Sequence, residues 1–483
     1  MNKKGFNLEE KDIYKLFNGI KIDESEFEDM NEKVNCIQKE RIKKNLNKKM
    51  KEKKGSKSFK YGVTAAAIGV VCVIGVGVTN PSLAKNVPVL NSIIQTLNDK
   101  YGTNGEYDKY SHILGESVTD KGVTITINEV LSDESKLLIS YTIKSDKKIK
   151  DKENMGMFIH NDIKINGKRM DATIGSSIGK YIDEYTYVCS DEIDIEKLNL
   201  PEEFNVDFKI TDIIGTDIEI QGKWNFAFNV SKEEISKNTN IFKPKKTIDF
   251  PNSIVNIDKV TLSPIGTYIS LSGNYKEGKR IEDISGIFEY DNWIAFDDRG
   301  VELVPNGIGG GEANKSKFNS KMNYGKLDYI PEYLTIIPCK VTPSGGGGVS
   351  IDKDGKETPV AIKTKKPKEV SKVIDGTYPI ELSQGKMGKL IIKDIKTENG
   401  TTIVKYTAEG KAPYTQGSSL YIKDQKGNHV NVKNYDIRKD KANPNEFTME
   451  FEALDPNNKY TIYTTDFNNF ELGEEFKFNI ELK

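Results

Sequence analysis

The sequence predicts a mainly β protein: a short α-helical N-terminal segment, one transmembrane helix, and then tandem antiparallel β-sandwich domains. Three observations predict it. An uncharged apolar run interrupts an otherwise polar chain of 483 residues. Ten Lys or Arg fill the twenty positions before that run, from Arg41 to Lys60. Beyond about residue 115 the pattern turns to alternating β-branched and aromatic residues punctuated by Asn, Asp, Gly and Ser.

The run comes first. The span 61–84 carries no charge. Its most apolar stretch, Tyr61–Val78, would extend ~27 Å as a helix, close to a hydrocarbon core of ~30 Å. Gly62, Gly69, Gly75 and Gly77 would weaken a helix in water, whereas lipid offers their backbone no competing partner. A cleavable signal peptide needs a short basic prelude, and the run begins only at residue 61, although Ser82-Leu83-Ala84 has the form of a cleavage triplet. The reading is one transmembrane helix at 61–84. Basic residues beside a span stay in the cytoplasm, so residues 1–60 lie inside and the C-terminal domains outside the plasma membrane. Charge follows the same divide: 17 Lys/Arg against 11 Asp/Glu before the run, and 54 against 61 after it.

In the segment 1–60, Ile13, Leu16, Phe17 and Ile20 fall at i, i+3, i+4 and i+7, one face of an amphipathic helix capped by Asn7. Sixty residues with so few apolar groups cannot build an independent core. The face therefore needs a partner, and Ile13, Tyr14, Leu16, Phe17 and Ile20 are the candidate contacts. The Lys-rich block that follows admits either of two roles, a partner surface or a tether to the anionic inner leaflet of the bilayer.

After the run, residues 85–114 form a juxtamembrane amphipathic helix and linker. Val89, Leu90, Ile93, Ile94 and Leu97 share one face, which lies on the bilayer or packs on the first folded domain. Then the chain repeats. "VTITINEVLSDESKLLISYTIKS" (123–145), "SIVNIDKVTLSPIGTYISLSGNY" (253–275) and "KLIIKDIKTENGTTIVKYTAEG" (389–410) each read as strand, turn, strand. Val130 to Tyr141, Val260 to Leu271 and Ile395 to Tyr406 keep one spacing. Each copy closes on Gly and an aromatic alternation: "GKWNFAFNV" (222–230), "GTYPIEL" (376–382) and "GEEFKFNIEL" (473–482). A period of roughly 130 residues predicts three sandwiches. Their expected bounds are 115–232, 248–383 and 384–483, with a charged linker at 233–247.

Chemistry is thin. His112, His160 and His429 are the three histidines and stand in separate regions, with no HExxH or metal-ligand spacing. No GxSxG elbow offers a nucleophile. "GGGEANKS" ends like a phosphate loop, but Asn314 occupies the glycine position, and "SIDKDG" (350–355) lacks the acid a calcium loop needs twelve positions on, where Ala361 stands. The sequence therefore predicts no enzyme, no cofactor and no metal. Cys189 and Cys339 belong to different repeats and read as two buried thiols rather than a disulfide.

"DIYKLFNGIKIDESEFEDM", "KERIKKNLNKKM", the span, "NPSLAKNVPVLNSI" and "GVTITINEVLSDESKLLISYTI" together resemble the family called domain of unknown function 4179, over about residues 10–230. The later copies resemble the immunoglobulin-like domain often appended to such proteins. The resemblance implies a single-pass membrane regulator of transcription, an anti-sigma factor that sequesters an extracytoplasmic-function sigma factor. Residues 1–60 hold no His and only Cys36, so the zinc site of the better-known anti-sigma class is missing and a metal-free helical surface must do the binding. The expected partners are then an RNA polymerase sigma factor, the lipid bilayer and an extracellular ligand, with no direct contact to nucleic acid. The alternative is a membrane-anchored adhesion or wall-binding protein, for which the first 60 residues would be dispensable.

Overall fold

Alternation dictates the first body. Along Glu203–Ile214, Phe204, Val206, Phe208 and Ile210 turn inward while Glu203, Asn205, Asp207 and Lys209 turn outward. The neighbouring strand Glu219–Ser231 does the same with Trp224, Phe226, Phe228 and Val230. The computed structural model describes residues 92–99, 102, 104–150, 156–170, 174–215, 218–278, 286–306, 311–346, 348–351, 357–360 and 363–483. The expected cytoplasmic segment 1–60, the transmembrane helix at 61–84, and Val89 and Leu90 lie outside these residues. Among the described residues no helix is long and apolar enough to cross a membrane.

What is described is mainly β, with four short α-helices: α1 (Ile93–Asp99), α2 (Tyr107–Tyr110), α3 (Glu233–Ser236) and α4 (Pro413–Gly417). The strands pair antiparallel and make three sandwich-like bodies. In sandwich 1 a five-stranded sheet, ordered His112–Asp120, Val123–Ser132, Lys136–Ser145, Thr186–Asp194 and Ile174–Tyr181, faces a four-stranded sheet built on Phe158–Ile165, Glu203–Ile214 and Glu219–Ser231. Their common core holds Ile125, Ile127, Tyr141, Phe208 and Trp224. Trp224 satisfies its indole N–H on the Val123 carbonyl at 3.0 Å. Its ring lies over Gly222, where a Cβ would stand 2.4 Å from the ring; this is why a glycine precedes the aromatic alternation there.

The repeated hairpins share a detail. Each carries a β-bulge at the same place: between Ile127 and Glu129, between Ile257 and Lys259, and between Ile392 and Asp394. Opposite these sites lie Tyr141, Leu271 and Tyr406, the residues whose spacing defined the repeat. The bulge puts a charged residue on the outer face of each hairpin without disturbing the inward alternation that follows.

The other two bodies depart from the linear division. Sandwich 2 has a six-stranded sheet centred on Ser253–Ser263, Gly266–Tyr275 and Lys317–Tyr324. Its second sheet runs Asn292–Phe296, Tyr333–Val341, and then Phe470–Leu472 and Phe478–Glu481 from the end of the chain. Phe478, Ile480 and Leu482 lie in the sandwich 2 core beside Val255, Leu334 and Ile336. Sandwich 3 starts at Glu369–Val373 and Ile380–Ser383 and ends with Tyr460–Thr465. It is inserted between two neighbouring strands of sandwich 2, since Val341 pairs with Phe470. The boundary expected between 383 and 384 therefore falls inside one sheet, where Ile380–Ser383 pairs with Gly388–Glu398. The closing motifs of the second and third copies are exchanged: "GTYPIEL" serves sandwich 3 and "GEEFKFNIEL" serves sandwich 2. Nor is 233–247 a bare linker. It contains α3, and Asn240–Phe242 and Lys246–Asp249 both pair with Ser253–Ser263.

Candidate functional site

The residues that follow the apolar run carry the most informative contacts. Ser92 opens α1 by accepting the Gln95 amide at 3.0 Å, as an N-terminal cap does. Its hydroxyl donates in turn to Glu129 Oε1 at 2.9 Å, and the Ile94 amide donates to the same oxygen at 2.8 Å. Glu129 is the residue that the first bulge turns outward, and it is buried. Burial lifts its carboxyl above the ordinary range, and the Ile94 amide with the Ser111 and Ser92 hydroxyls pulls it only some of the way back.

Three apolar side chains complete the seat. Ile93 and Leu97 rest on Val188, and Ile94 joins Tyr107, Tyr110, Leu131 and Leu138 with Ile235 of α3 and Ile265 of sandwich 2. Of the face read from the sequence as Val89, Leu90, Ile93, Ile94 and Leu97, the last three thus pack on folded domains. The contacts continue past α1. Gly102, with φ of +69°, lies so near sandwich 3 that a Cβ would stand 3.0 Å from Asp436 Cα. The Glu106 amide donates to the Pro264 carbonyl at 2.9 Å, and Lys326 pairs with Glu106 at 2.8 Å. Tyr107 donates to the Ile265 carbonyl at 3.3 Å. One segment, 92–110, touches all three sandwiches.

Two junctions hold those sandwiches together. Between sandwiches 1 and 2, ion pairs add to the apolar contact of Ile265 with Leu131 and Leu138. Lys321 pairs with Asp194 at 2.6 Å, Lys259 pairs with Glu196 at 3.0 Å, and Ser270 donates to Glu196. Lys136, buried and 3.0 Å from Glu192, stands over the Tyr268 ring. Burial pulls its ammonium down, and the acids around it, Glu192 foremost, more than reverse this, so it is held above its ordinary value. Between sandwiches 2 and 3 an apolar patch, Ile294 and Cys339 against Met387, Ala412 and Phe467, is joined by the ion pairs Lys441–Asp328 at 2.5 Å and Lys411–Glu474. One buried carboxylate, Glu302, accepts from the amides of Tyr414 and Thr415 there.

The partner residues expected from the sequence, Ile13, Tyr14, Leu16, Phe17 and Ile20, lie outside the described residues. Cys189 and Cys339 are free and buried, and burial pushes the Cys339 thiol up to about 12. The histidines are not brought together: His160 lies 3.6 Å from Asp212 and His429 stacks on Tyr421. Among the described residues no three His, Cys, Asp or Glu side chains are grouped to hold a metal. Sequence reasoning missed Glu129, Glu196 and Glu302, which look like surface acids until their neighbours are known; only the charged residue at the bulge position of each copy gave a signal.

Fold and contacts together define a tandem β-sandwich protein whose folded bodies are gathered onto one short segment. Residues 53–145 match the domain of unknown function DUF4179, the family that the sequence resembles, and residues 239–382 match a family of unknown function, DUF5643. The first match runs from the Lys-rich block to the end of the first repeated hairpin; the second stops inside the strand Ile380–Ser383 and leaves out the strands that close sandwich 2. No curated protein matches the chain. Among solved structures, the crystal structure of the conserved domain protein from Bacillus anthracis is similar, at 24% identity and a TM-score of 0.44, covering 56% of this chain and 93% of that one.

Proposed function

We propose that the chain is a single-pass membrane signalling regulator, an anti-sigma factor of the plasma membrane. Residues 1–60 hold an extracytoplasmic-function sigma factor at the cytoplasmic face through Ile13, Tyr14, Leu16, Phe17 and Ile20. The run 61–84 crosses the bilayer, and the sandwiches meet an extracellular ligand or stress. The observation that carries this reading is the contact of segment 92–110 with all three sandwiches. A change in how any sandwich packs alters the hold on residues 92–110, which follow the apolar run in the sequence. An adhesion protein needs only an anchor there, with no such convergence. The match of residues 53–145 to DUF4179 supports the same reading, because it spans the run and the seat as one unit.

The test is capture. Full-length chain in detergent micelles is used as bait in lysate of its own source, beside the Ile13→Asp/Phe17→Asp double variant. Recovery of one sigma factor by the first and its loss from the second is the expected result. Equal recovery by both, or no sigma factor with either, leaves the chain as a membrane-anchored surface protein.

A further inference from the structure

Sandwich 3 carries a row of aromatic rings on one outer face. The face belongs to the sheet formed by Glu369–Val373, Tyr460–Thr465 and Tyr421–Asp424. Alternation sends Ile422, Ile462 and Thr464 into the body and Tyr421, Lys423 and Tyr463 to the other side. Register aligns the two tyrosines with each other and with Ser371 on the edge strand. Their rings stack at 5.2 Å and 9°, and the exposed His429 continues the row, stacked on Tyr421 at 5.1 Å. Lys423 Nζ stands 4.7 Å from the centre of the Tyr463 ring. At the other end of the row Ser371 is exposed and too short to cover Tyr463, and Val373 beyond it is 59% exposed.

Beside that row the chain is basic. Residues 363–373 hold five Lys against one acid, Glu369, although the chain beyond the apolar run is acidic, with 54 Lys/Arg against 61 Asp/Glu. Glu369 is already engaged, since Oε1 accepts from the Tyr421 hydroxyl at 2.7 Å and from Lys423 at 2.8 Å. Lys366 acts on it only through space. Asp466 meets this stretch through the Lys368 amide, 3.0 Å from Oδ1, and its carboxylate also accepts from Asn468. Lys365 donates to the Asn468 carbonyl. Among the described residues, Lys363, Lys366, Lys368 and Lys372 enter no ion pair. Exposed lysines elsewhere on this sandwich do: Lys389, Lys393 and Lys396 have acids at 3.1, 2.7 and 2.8 Å.

We infer that this face binds an anionic polysaccharide, with sugar rings against the tyrosine row and acidic groups on the unpaired lysines. The polarised C–H groups of a pyranose suit the electron-rich face of a tyrosine ring. A linear acidic polymer brings charge at regular intervals to lysines spread along extended chain, and Lys363 to Lys372 reach at most ~30 Å, the length of several sugar rings. A neutral glycan would leave the lysines unused, and a polyanion without rings would leave the tyrosines unused. As a signal, such a ligand rests on the function proposed above. The binding itself does not, so it and the capture of a sigma factor succeed or fail separately.

The test is titration of fluorescein-labelled polygalacturonate with the full-length chain in uncharged micelles, read by anisotropy. Unlabelled polygalacturonate, linear polyphosphate and neutral dextran serve as competitors. Binding should weaken on the order of tenfold as salt rises from about 50 to 200 mM. The variant Lys363→Gln/Lys366→Gln/Lys368→Gln/Lys372→Gln should lose on the order of tenfold in affinity, and Tyr463→Ala a comparable amount. Polyphosphate and dextran should each compete at least about tenfold less well than polygalacturonate. Absence of binding overturns the inference, as does wild-type affinity in either variant. Competition by polyphosphate or dextran as strong as that by polygalacturonate overturns it too. If Tyr463→Ala fails to fold, the polyphosphate comparison decides alone whether the rings are read.

Discussion

The two junctions of the molecule combine charge and apolar contact in different proportions. Sandwich 1 meets sandwich 2 through Lys321, Lys259, Asp194 and Glu196, over the Tyr268 ring that Lys136 covers. Sandwich 2 meets sandwich 3 through Met387, Ala412 and Phe467, with Glu302 as the one buried carboxylate at the contact described. The difference follows from how the chain runs. A single strand of chain joins sandwiches 1 and 2, so charge pairs must fix their relative register, and such pairs are directional. Sandwich 3 is tied at both ends to paired neighbours, Val341 and Phe470, so a non-directional apolar patch carries the buried part of the contact and the ion pairs Lys441–Asp328 and Lys411–Glu474 lie at exposed positions.

That contrast can be broken in three ways. The strongest removes the double tie. Ending the chain after Asn469 takes away Phe478, Ile480 and Leu482, each buried in the sandwich 2 core. Large core side chains contribute on the order of 2–5 kcal/mol apiece, comparable in sum with the stability of a whole domain. Sandwich 2 should lose its cooperative melting transition in calorimetry, while sandwich 3, whose core lies elsewhere, keeps its own. Loss of sandwich 3 first would mean that the terminal strand serves it after all.

A middle-sized effect is expected at the ionic junction. Glu196→Ala removes the acid shared by Lys259 and Lys321 and leaves two ammonium groups facing a closed interface. The cost should be roughly 2–4 kcal/mol, below that of a fully buried pair because Asp194 is half exposed and still pairs with Lys321. Denaturant unfolding should show an earlier loss of coupling between sandwiches 1 and 2, with the contact between 2 and 3 unmoved. The smallest effect concerns salt. Raising ionic strength from about 0.1 to 1 M shortens the screening length from ~10 to ~3 Å, and each outer pair loses up to about 1 kcal/mol. Spin labels on sandwiches 1 and 2 should report a broader distance distribution, and labels on 2 and 3 a smaller change, since only Lys441–Asp328 and Lys411–Glu474 are screened there and the chain is tied at both ends.

Much of the architecture was legible because local pattern determines it. Alternation gave the strands, and the fixed step from Val130 to Tyr141, repeated twice, marked hairpins that share a bulge. The insertion was not legible. "GEEFKFNIEL" states that a strand exists and which face is apolar, but not which sheet it joins, and contiguity pointed to the nearest one. Asn240–Phe242 and Lys246–Asp249 were hidden for another reason: Pro244 and the lysines around it read as linker, yet such residues are the ordinary composition of short edge strands. The apolar face of α1 was read correctly as a face, whereas its acceptor Glu129 was not, since burial of a single acid depends on residues 35 positions away.

The insertion also sets an order of events during synthesis. Sandwich 2 begins to emerge near Asn240, yet its second sheet cannot close until Phe478–Glu481 have left the ribosome. Sandwich 3 is complete by Thr465 and is free to fold first. Throughout that interval the strand Tyr333–Val341 offers an unpaired edge and the apolar side chains behind it stay uncovered. Sandwich 2 is therefore finished after the body that is inserted into it.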